Sequence, residues 1–342
     1  LDNSAGALIG NGAVTLDLLG ALTNSNGKLA SAGALLLKRA SQINNQGGQL
    51  VSQSLLTLFA GSLDNRNRGT VAANGTVTVT TTGVVQNEND GLIYSQSADL
   101  KLKAASLDNA KGSIQSQTAL NLDISGALDN QSGKVIAQTG DVDISAATID
   151  NRGGTLASLK GALQAKALGG WLRNDYDLNN NRQAGTIQAQ SLNLSSASLN
   201  NNGGRIAAQT GDSIITTGAF DNRDGGLYGK GTVKVTGSSF DNSGDVRGQV
   251  AGGQVDLNLS GALNNQKGVI ESDTTLSVSA GSVDNQKGQL RALGTSGKTE
   301  FQIGGVFDNR DGSLETANSD LTLNAGSFQN VGGSVLHVGA GT

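Results

Sequence analysis

One residue type returns through this chain at a nearly constant interval: Asn3, Asn24, Asn45, Asn65, Asn87, Asn109, Asn130, Asn151, Asn174, Asn201, Asn222, Asn242, Asn265, Asn285, Asn309 and Asn330. The fifteen steps between them average about 21.8 residues. The motif around each marker is rewritten rather than copied: "LTNSNGKLAS" at 22–31, "LDNAKGSIQS" at 107–116, "LDNQSGKVIAQ" at 128–138, "LNNQKGVIES" at 263–272 and "VDNQKGQLRA" at 283–292. A repeat this short cannot bury a core alone, so it must stack on its neighbours as a solenoid. A motif written about sixteen times is also a poor candidate for a catalytic site.

The pattern inside one unit narrows the choice. A Gly commonly follows three residues after the Asn and an aliphatic residue five after it: Gly27 and Leu29, Gly112 and Ile114, Gly133 and Val135, Gly204 and Ile206, Gly268 and Ile270. Two residues further on the chain is small, as at Ser31, Ser116, Ala137, Ser158, Ala208 and Ser272. A second alternating run follows: Leu100, Leu102, Ala104; Val142, Ile144, Ala146; Leu276, Val278, Ala280; Leu321, Leu323, Ala325. Period two means strands with one buried face, and the other face carries Gln, Thr, Lys, Ser and Asp. Leucine-rich repeats share the period, but the Asn lies outside their spacing and no segment carries a 3.6-residue apolar stripe. The expected fold is all-β: a parallel β-helix of about sixteen coils of about 21 residues, with two or three short strands per coil. In "LDNQSG", Leu128 should point inward, Asp129 outward, and Asn130 inward at a corner. Asn tolerates left-handed backbone and Gly133 tolerates any, so N-x-x-G makes a tight bend. Stacked Asn side chains could also hydrogen-bond along the stack.

Composition agrees. Among 342 residues there are 50 Gly and 33 Asn, no Pro, Cys or Met, and 3% aromatics. Such a chain lacks the large side chains that fill a globular core, yet its Leu, Ile and Val argue against disorder. The net charge of −4 is slight and dispersed, which argues against nucleic acid as a partner. No apolar run reaches the roughly 18–20 residues of a membrane span. Without Cys there is no disulfide framework and no Cys-based metal site. The chain opens at Leu1 with no signal peptide, and neither Leu1 nor Thr342 has a polar cap. Residues 1–342 therefore read as one rod, roughly 75–80 Å long at 4.8 Å per coil and cut from a longer polypeptide.

The repeated "LDNxxGxLxS…LxLxAGxLDN" resembles the haemagglutinin repeat of filamentous haemagglutinins and contact-dependent growth inhibition exoproteins, over nearly the whole chain. The resemblance implies a right-handed parallel β-helix, exported by two-partner secretion from a Gram-negative bacterium and displayed at the cell surface. It implies a stalk whose partners are the rest of its own polypeptide, an outer-membrane two-partner transporter and a target-cell receptor. Adhesive or toxin parts would lie elsewhere in the polypeptide. A monomeric rod is expected, with no cofactor, no metal and no catalytic residue.

"ALGTSGKT", Ala292–Thr299, carries the G-K-T of a phosphate-binding loop, but Ala292 replaces the first Gly and strand-like Phe301, Ile303 and Phe307 follow. It reads as a longer loop. In "NDYDLNN", Asp175, Asp177 and Asn179 take the first three ligand positions of an EF-hand, while Asn180 and Thr186 replace its Gly and Glu. This reads as a solvated polar loop. His337 is the only histidine, so no multi-His metal site can form. Nine of the 24 Asp residues belong to the repeated "DN", and Glu occurs only at 88, 271, 300 and 315, a poor base for polysaccharide chemistry.

The repeat is broken at 167–185, "ALGGWLRNDYDLNNNRQAG", where Leu178 and Asn180 offer an alternative marker pair. Trp171, the only Trp, stands there with Arg173 and Tyr176, residue types that anchor interfaces. These three are the candidate binding residues; the competing reading has Trp171 plugging a misfit between coils. The favoured function is a non-enzymatic stalk segment of a secreted surface exoprotein, either a growth-inhibition toxin or a filamentous adhesin. The alternative is an adhesive module touching a receptor or glycan through the 167–185 loop.

Overall fold

Alternation decides local structure throughout. The strand Lys134–Ala137 buries Val135 and Ala137 while Lys134 is exposed and Ile136 half-exposed. Val142–Ala146 buries Val142, Ile144 and Ala146, and Thr148–Asp150 buries Ile149. Those three strands are one coil, and its six buried small or aliphatic side chains are its share of the core. The computed structural model describes residues 1–246 and 248–341; Thr342, one of the two ends read as a cut, lies outside them. No helix occurs among the described residues, so none is long and apolar enough to cross a membrane.

Pairing is parallel and runs from each coil to the next. Ile114 faces Val135, which faces Leu156; Leu122 faces Ile144, which faces Ala165; Leu128 faces Ile149. Like sits on like, because a slip of one residue would turn every buried side chain outward. The result is the expected parallel β-solenoid, with about sixteen turns at a spacing of about 21 residues.

The chain divides into two compact units. One is Leu1–Gly170 with Asp177–Gln183; the other is Trp171–Tyr176 with Ala184–Thr342. The second has larger core residues: Phe220 stacks on Phe240 with centroids 4.6 Å apart and planes 12° off parallel. There neighbouring strands run on without interruption as Gly226–Gly237, Gln249–Leu259 and Lys298–Asp308, with register irregularities at Gly229/Thr232 and Ile303/Val306.

Most turns after a marker differ from the sequence-based expectation in one respect. The left-handed residue is neither the Asn nor the Gly but the residue between them, two after the marker: Asn26, Lys111, Ser132, Lys267, Lys287 and Asp311 all have φ between 52° and 60°. The Gly has another task. A Cβ on Gly133 would lie 2.2 Å from the Asn109 carbonyl oxygen of the preceding coil and 2.7 Å from the Asn130 Oδ1. Close approach between coils, rather than backbone freedom, fixes that Gly.

Candidate functional site

The most regular chemistry in the molecule is a ladder of buried amides. In the first unit the Nδ2 of each marker donates to the Oδ1 of the next, from Asn3 through Asn24, Asn45, Asn65, Asn87, Asn109 and Asn130 to Asn151, at 2.7–2.8 Å. A second ladder joins Asn174, Asn201, Asn222, Asn242, Asn265, Asn285, Asn309 and Asn330 at 2.7–2.8 Å. The remaining Nδ2 hydrogen points at backbone carbonyls, for Asn130 those of Gly133 at 3.3 Å and Thr155 at 3.2 Å. Both amide ends are thus satisfied inside the core, where an unpaired polar group is costly. The Asn130 backbone N–H also donates to the Asp150 carbonyl of the next coil at 2.7 Å.

The Asp before the marker does not simply point outward. Asp150 accepts from the Arg152 backbone N–H at 3.2 Å, from Arg152 Nε at 2.9 Å and from Nη2 at 2.7 Å. Asp64 with Arg66, Asp221 with Arg223 and Asp308 with Arg310 repeat this bidentate clamp. Asp64, Asp150 and Asp308 are buried. The D-N-R spacing was the visible signal, since an Asx turn brings residue i+2 back over the carboxylate. The bond to Arg310 holds Asp308 below its ordinary pKa. Asp129 lacks an Arg, binds Gln131 instead, and is pushed up by burial. Glu88 is the outlier: a hydrogen bond with Asp108, aided by burial and the Asp108 charge and opposed by Arg66, pushes it up to about 7.

The stretch 167–185 separates into ordered parts. Trp171–Arg173 is a regular strand paired with Ser198–Asn200; Leu172 enters the core and Asn174 stands in the ladder. Trp171 is therefore on the outer face, half-exposed, with the Arg173 guanidinium 4.7 Å from its ring centroid. The structure brings those two residues together. Tyr176 packs elsewhere, against the Gly203 turn, where a Cβ would sit 2.1 Å from its ring. In the first unit, Asp177 accepts from Ser132 Oγ at 2.7 Å, Asn180 Nδ2 donates to the same Oγ at 2.8 Å, and Gln183 Nε2 donates to the Gly153 carbonyl at 2.8 Å. Leu178 is 71% exposed, so the alternative marker pair Leu178/Asn180 is incorrect. Asn180 is spent on Ser132 while Asn174 holds the buried position.

The haemagglutinin repeat matches at residues 1–58, 30–95, 95–132, 130–169, 167–249, 250–299 and 294–342. The chain belongs to the haemagglutinin repeat family. No curated protein and no solved structure matches it.

The remaining motifs find their places within the haemagglutinin repeat. The G-K-T loop is closed from inside: buried Asn318 donates its Nδ2 to the carbonyls of Thr274, Gly294 and Ser296 at 2.6, 3.0 and 3.0 Å. Thr299 is buried against Asn318 and Thr316, Lys298 pairs with Glu300 at 3.0 Å, and the segment continues as a strand. A phosphate cradle needs amides at a helix start; here loop carbonyls face an amide. In the EF-hand-like stretch, Asp177 accepts from the Asn179 N–H and Ser132, and Asp175 from Asn200. No group of metal-ligating side chains occurs among the described residues. His337 faces Thr316 in register, in the slot where other coils carry a small residue. Asn318 lies outside the 21-residue marker, and no motif pointed to it.

Proposed function

We propose that this chain is a stalk segment of a large exoprotein of a Gram-negative bacterium, secreted by the two-partner route and displayed at the cell surface. Its work is to carry receptor-binding or toxin domains away from the cell, in a contact-dependent growth inhibition toxin or a filamentous adhesin. Haemagglutinin repeats on a β-solenoid fit an adhesin or stalk of the filamentous haemagglutinin kind. The observation that carries the reading is the pair of unbroken amide ladders. A structure in which each coil completes the hydrogen bonds of the next can be lengthened without redesign. The outer transporter and the target-cell receptor enter as partners of the whole polypeptide.

The test is removal of whole coils from the full-length protein. Deleting 109–150 joins Asp108 to Asn151 and keeps every register. Surface display should persist while the reach of the terminal domain falls with the number of coils removed. Loss of display or of target binding after so distant an in-phase deletion overturns the proposal.

One observation favours a second reading, an adhesive module: Trp171, half-exposed with Arg173 stacked on it, borders a shallow groove reaching Ser198, Ala219 and Asp221. Replacing Trp171, Arg173 and Tyr176 by Ala separates the two. Lost target-cell binding with an unchanged melting curve supports the module; retained binding supports the stalk.

A further inference from the structure

The inward position that ends the first strand after each marker turn holds a small side chain. In the second unit its register runs through Gly229, Gly252, Ser272, Ala292 and Thr316, and then reaches His337. An imidazole stands where those coils place nothing larger than threonine. Both of its nitrogens, Nδ1 and Nε2, are buried, and neither has a hydrogen-bond partner. The chain also closes over the ring. The Val338 N–H donates to the Thr316 carbonyl at 2.9 Å, and a Cβ on Gly339 would lie 2.6 Å from the ring's Cε1.

The polar groups nearest the ring are spent on one another. The Thr299 and Thr316 hydroxyls donate to Asn318 Oδ1, and Asn318 Nδ2 donates to the Thr274, Gly294 and Ser296 carbonyls. The charged groups of the elements packed against the ring are engaged elsewhere. On the strand Ser313–Thr316, Glu315 lies 3.8 Å from Arg291. On Lys298–Asp308, Lys298 pairs with Glu300 at 3.0 Å and Asp308 with Arg310 at 2.6 Å. Asp311 lies against the Gly332 turn, and Asp320, which opens the strand Asp320–Gln329, lies beside Gly341. None of them bonds to the imidazole. An unpaired cation in such a place costs far more than an unpaired neutral ring. Opening the coil puts the ring in water, where an imidazole takes up a proton near pH 6.5. Opening therefore binds a proton, and the closed coil loses stability as pH falls.

We propose that His337 is an acid-sensitive latch: protonation of its imidazole releases the coil formed by Asp320–Gln329 and Ser334–His337 from the coil it stacks on. Release breaks the Asn309–Asn330 rung at 2.7 Å and the edge-on contact of Phe307 with Phe328. The latch acts on the fold, and it stands whether the segment serves as a stalk or as an adhesive module. The test is hydrogen exchange of the whole chain at about pH 5.5 and pH 8, corrected for the intrinsic pH dependence of amide exchange; a His titrates between these values. Opening of the two strands should be about tenfold more frequent at the lower pH, as expected for uptake of one proton, while Lys28–Ser31 in the first unit keeps its rate. His337→Ser installs the side chain that Ser272 carries in the same column and should remove the acid effect. His337→Gln keeps a side chain of similar size that does not titrate and should remove it too, which decides the matter if the Ser variant packs poorly. Equal opening at the two pH values overturns the proposal. So does an acid effect that persists in a folded variant, or one that extends equally to Lys28–Ser31.

Discussion

At the scale of single residues, the informative side chains are those whose surroundings change their chemistry. Glu88 holds its proton to about pH 7 through Asp108, with Arg66 at 3.5 Å on one side and Lys111 beside the same surface. An unfolded Glu releases its proton near 4.5. A carboxyl raised in the folded state contributes stability that is complete below the unfolded value and is lost as pH rises through the folded one. The chain should therefore lose stability between about pH 4.5 and 7, by on the order of 1 kcal/mol after solvent screening. Glu88→Gln keeps a donor facing Asp108 without titrating, so its melting temperature should exceed that of the parent at pH 8 and match it at pH 5. A parallel pH dependence in the two proteins would refute the shared proton. None of this was legible beforehand, because Glu88 lies one residue after its marker and meets Asp108 only through the stacking of two coils. Trp171 was legible as an exception, but not its placement: the register with Ser198 puts Leu172 in the core and Trp171 outside, contrary to a plug between coils.

At the scale of the element, the turn assigns opposite requirements to adjacent residues. Lys287 has φ 57° and is exposed, whereas a Cβ on Gly288 would lie 2.1 Å from the Asn265 carbonyl oxygen and 2.5 Å from Asn285 Oδ1. Lys287→Gly relieves left-handed strain of about 1 kcal/mol and adds a comparable unfolded-state entropy, so its urea midpoint should move little. Gly288→Ala pushes the coils apart and should cost about 3 kcal/mol. The reverse ranking would show that backbone freedom, not contact, governs the motif. The letters N-x-x-G suit either account, and only the distance between coils separates them. Strand alternation, by contrast, was readable in full. Val142, Ile144 and Ala146 could face only one way, and each neighbouring coil repeats the choice. The stretch 167–185 misled for the converse reason: a regular strand carrying Trp171 and Arg173 adjoins an insertion tied to Ser132 and Gly153, and the bulky residues disguised the strand.

At the scale of the whole molecule, the question is how far a local injury travels. Apart from the side-chain bonds of Asn318 to Thr274 and of Asp177 and Asn180 to Ser132, each coil pairs with its immediate neighbours, so stability is close to a sum of coil terms and nearest-neighbour terms. Asn130→Ala tests this. The substitution removes the acceptor of Asn109 Nδ2 and the donors to Asn151 Oδ1 and the Thr155 carbonyl. It leaves buried groups unpaired, at a cost of about 3 kcal/mol. In a globular core that loss would lower protection everywhere. Here, hydrogen exchange should accelerate in the coils holding Asn109, Asn130 and Asn151, while strands such as Lys28–Ser31 and Leu35–Ala40, several coils away, keep their rates under native conditions. Uniform acceleration across the first unit would mean that the ladder acts as one cooperative body. A stalk assembled from exchangeable coils would then be the wrong description, since adding or removing a coil would reset the stability of all the others. Local acceleration would mean that a long stalk can absorb damage or variation in one coil without losing the rest, a property a segment carrying other domains on its far end requires.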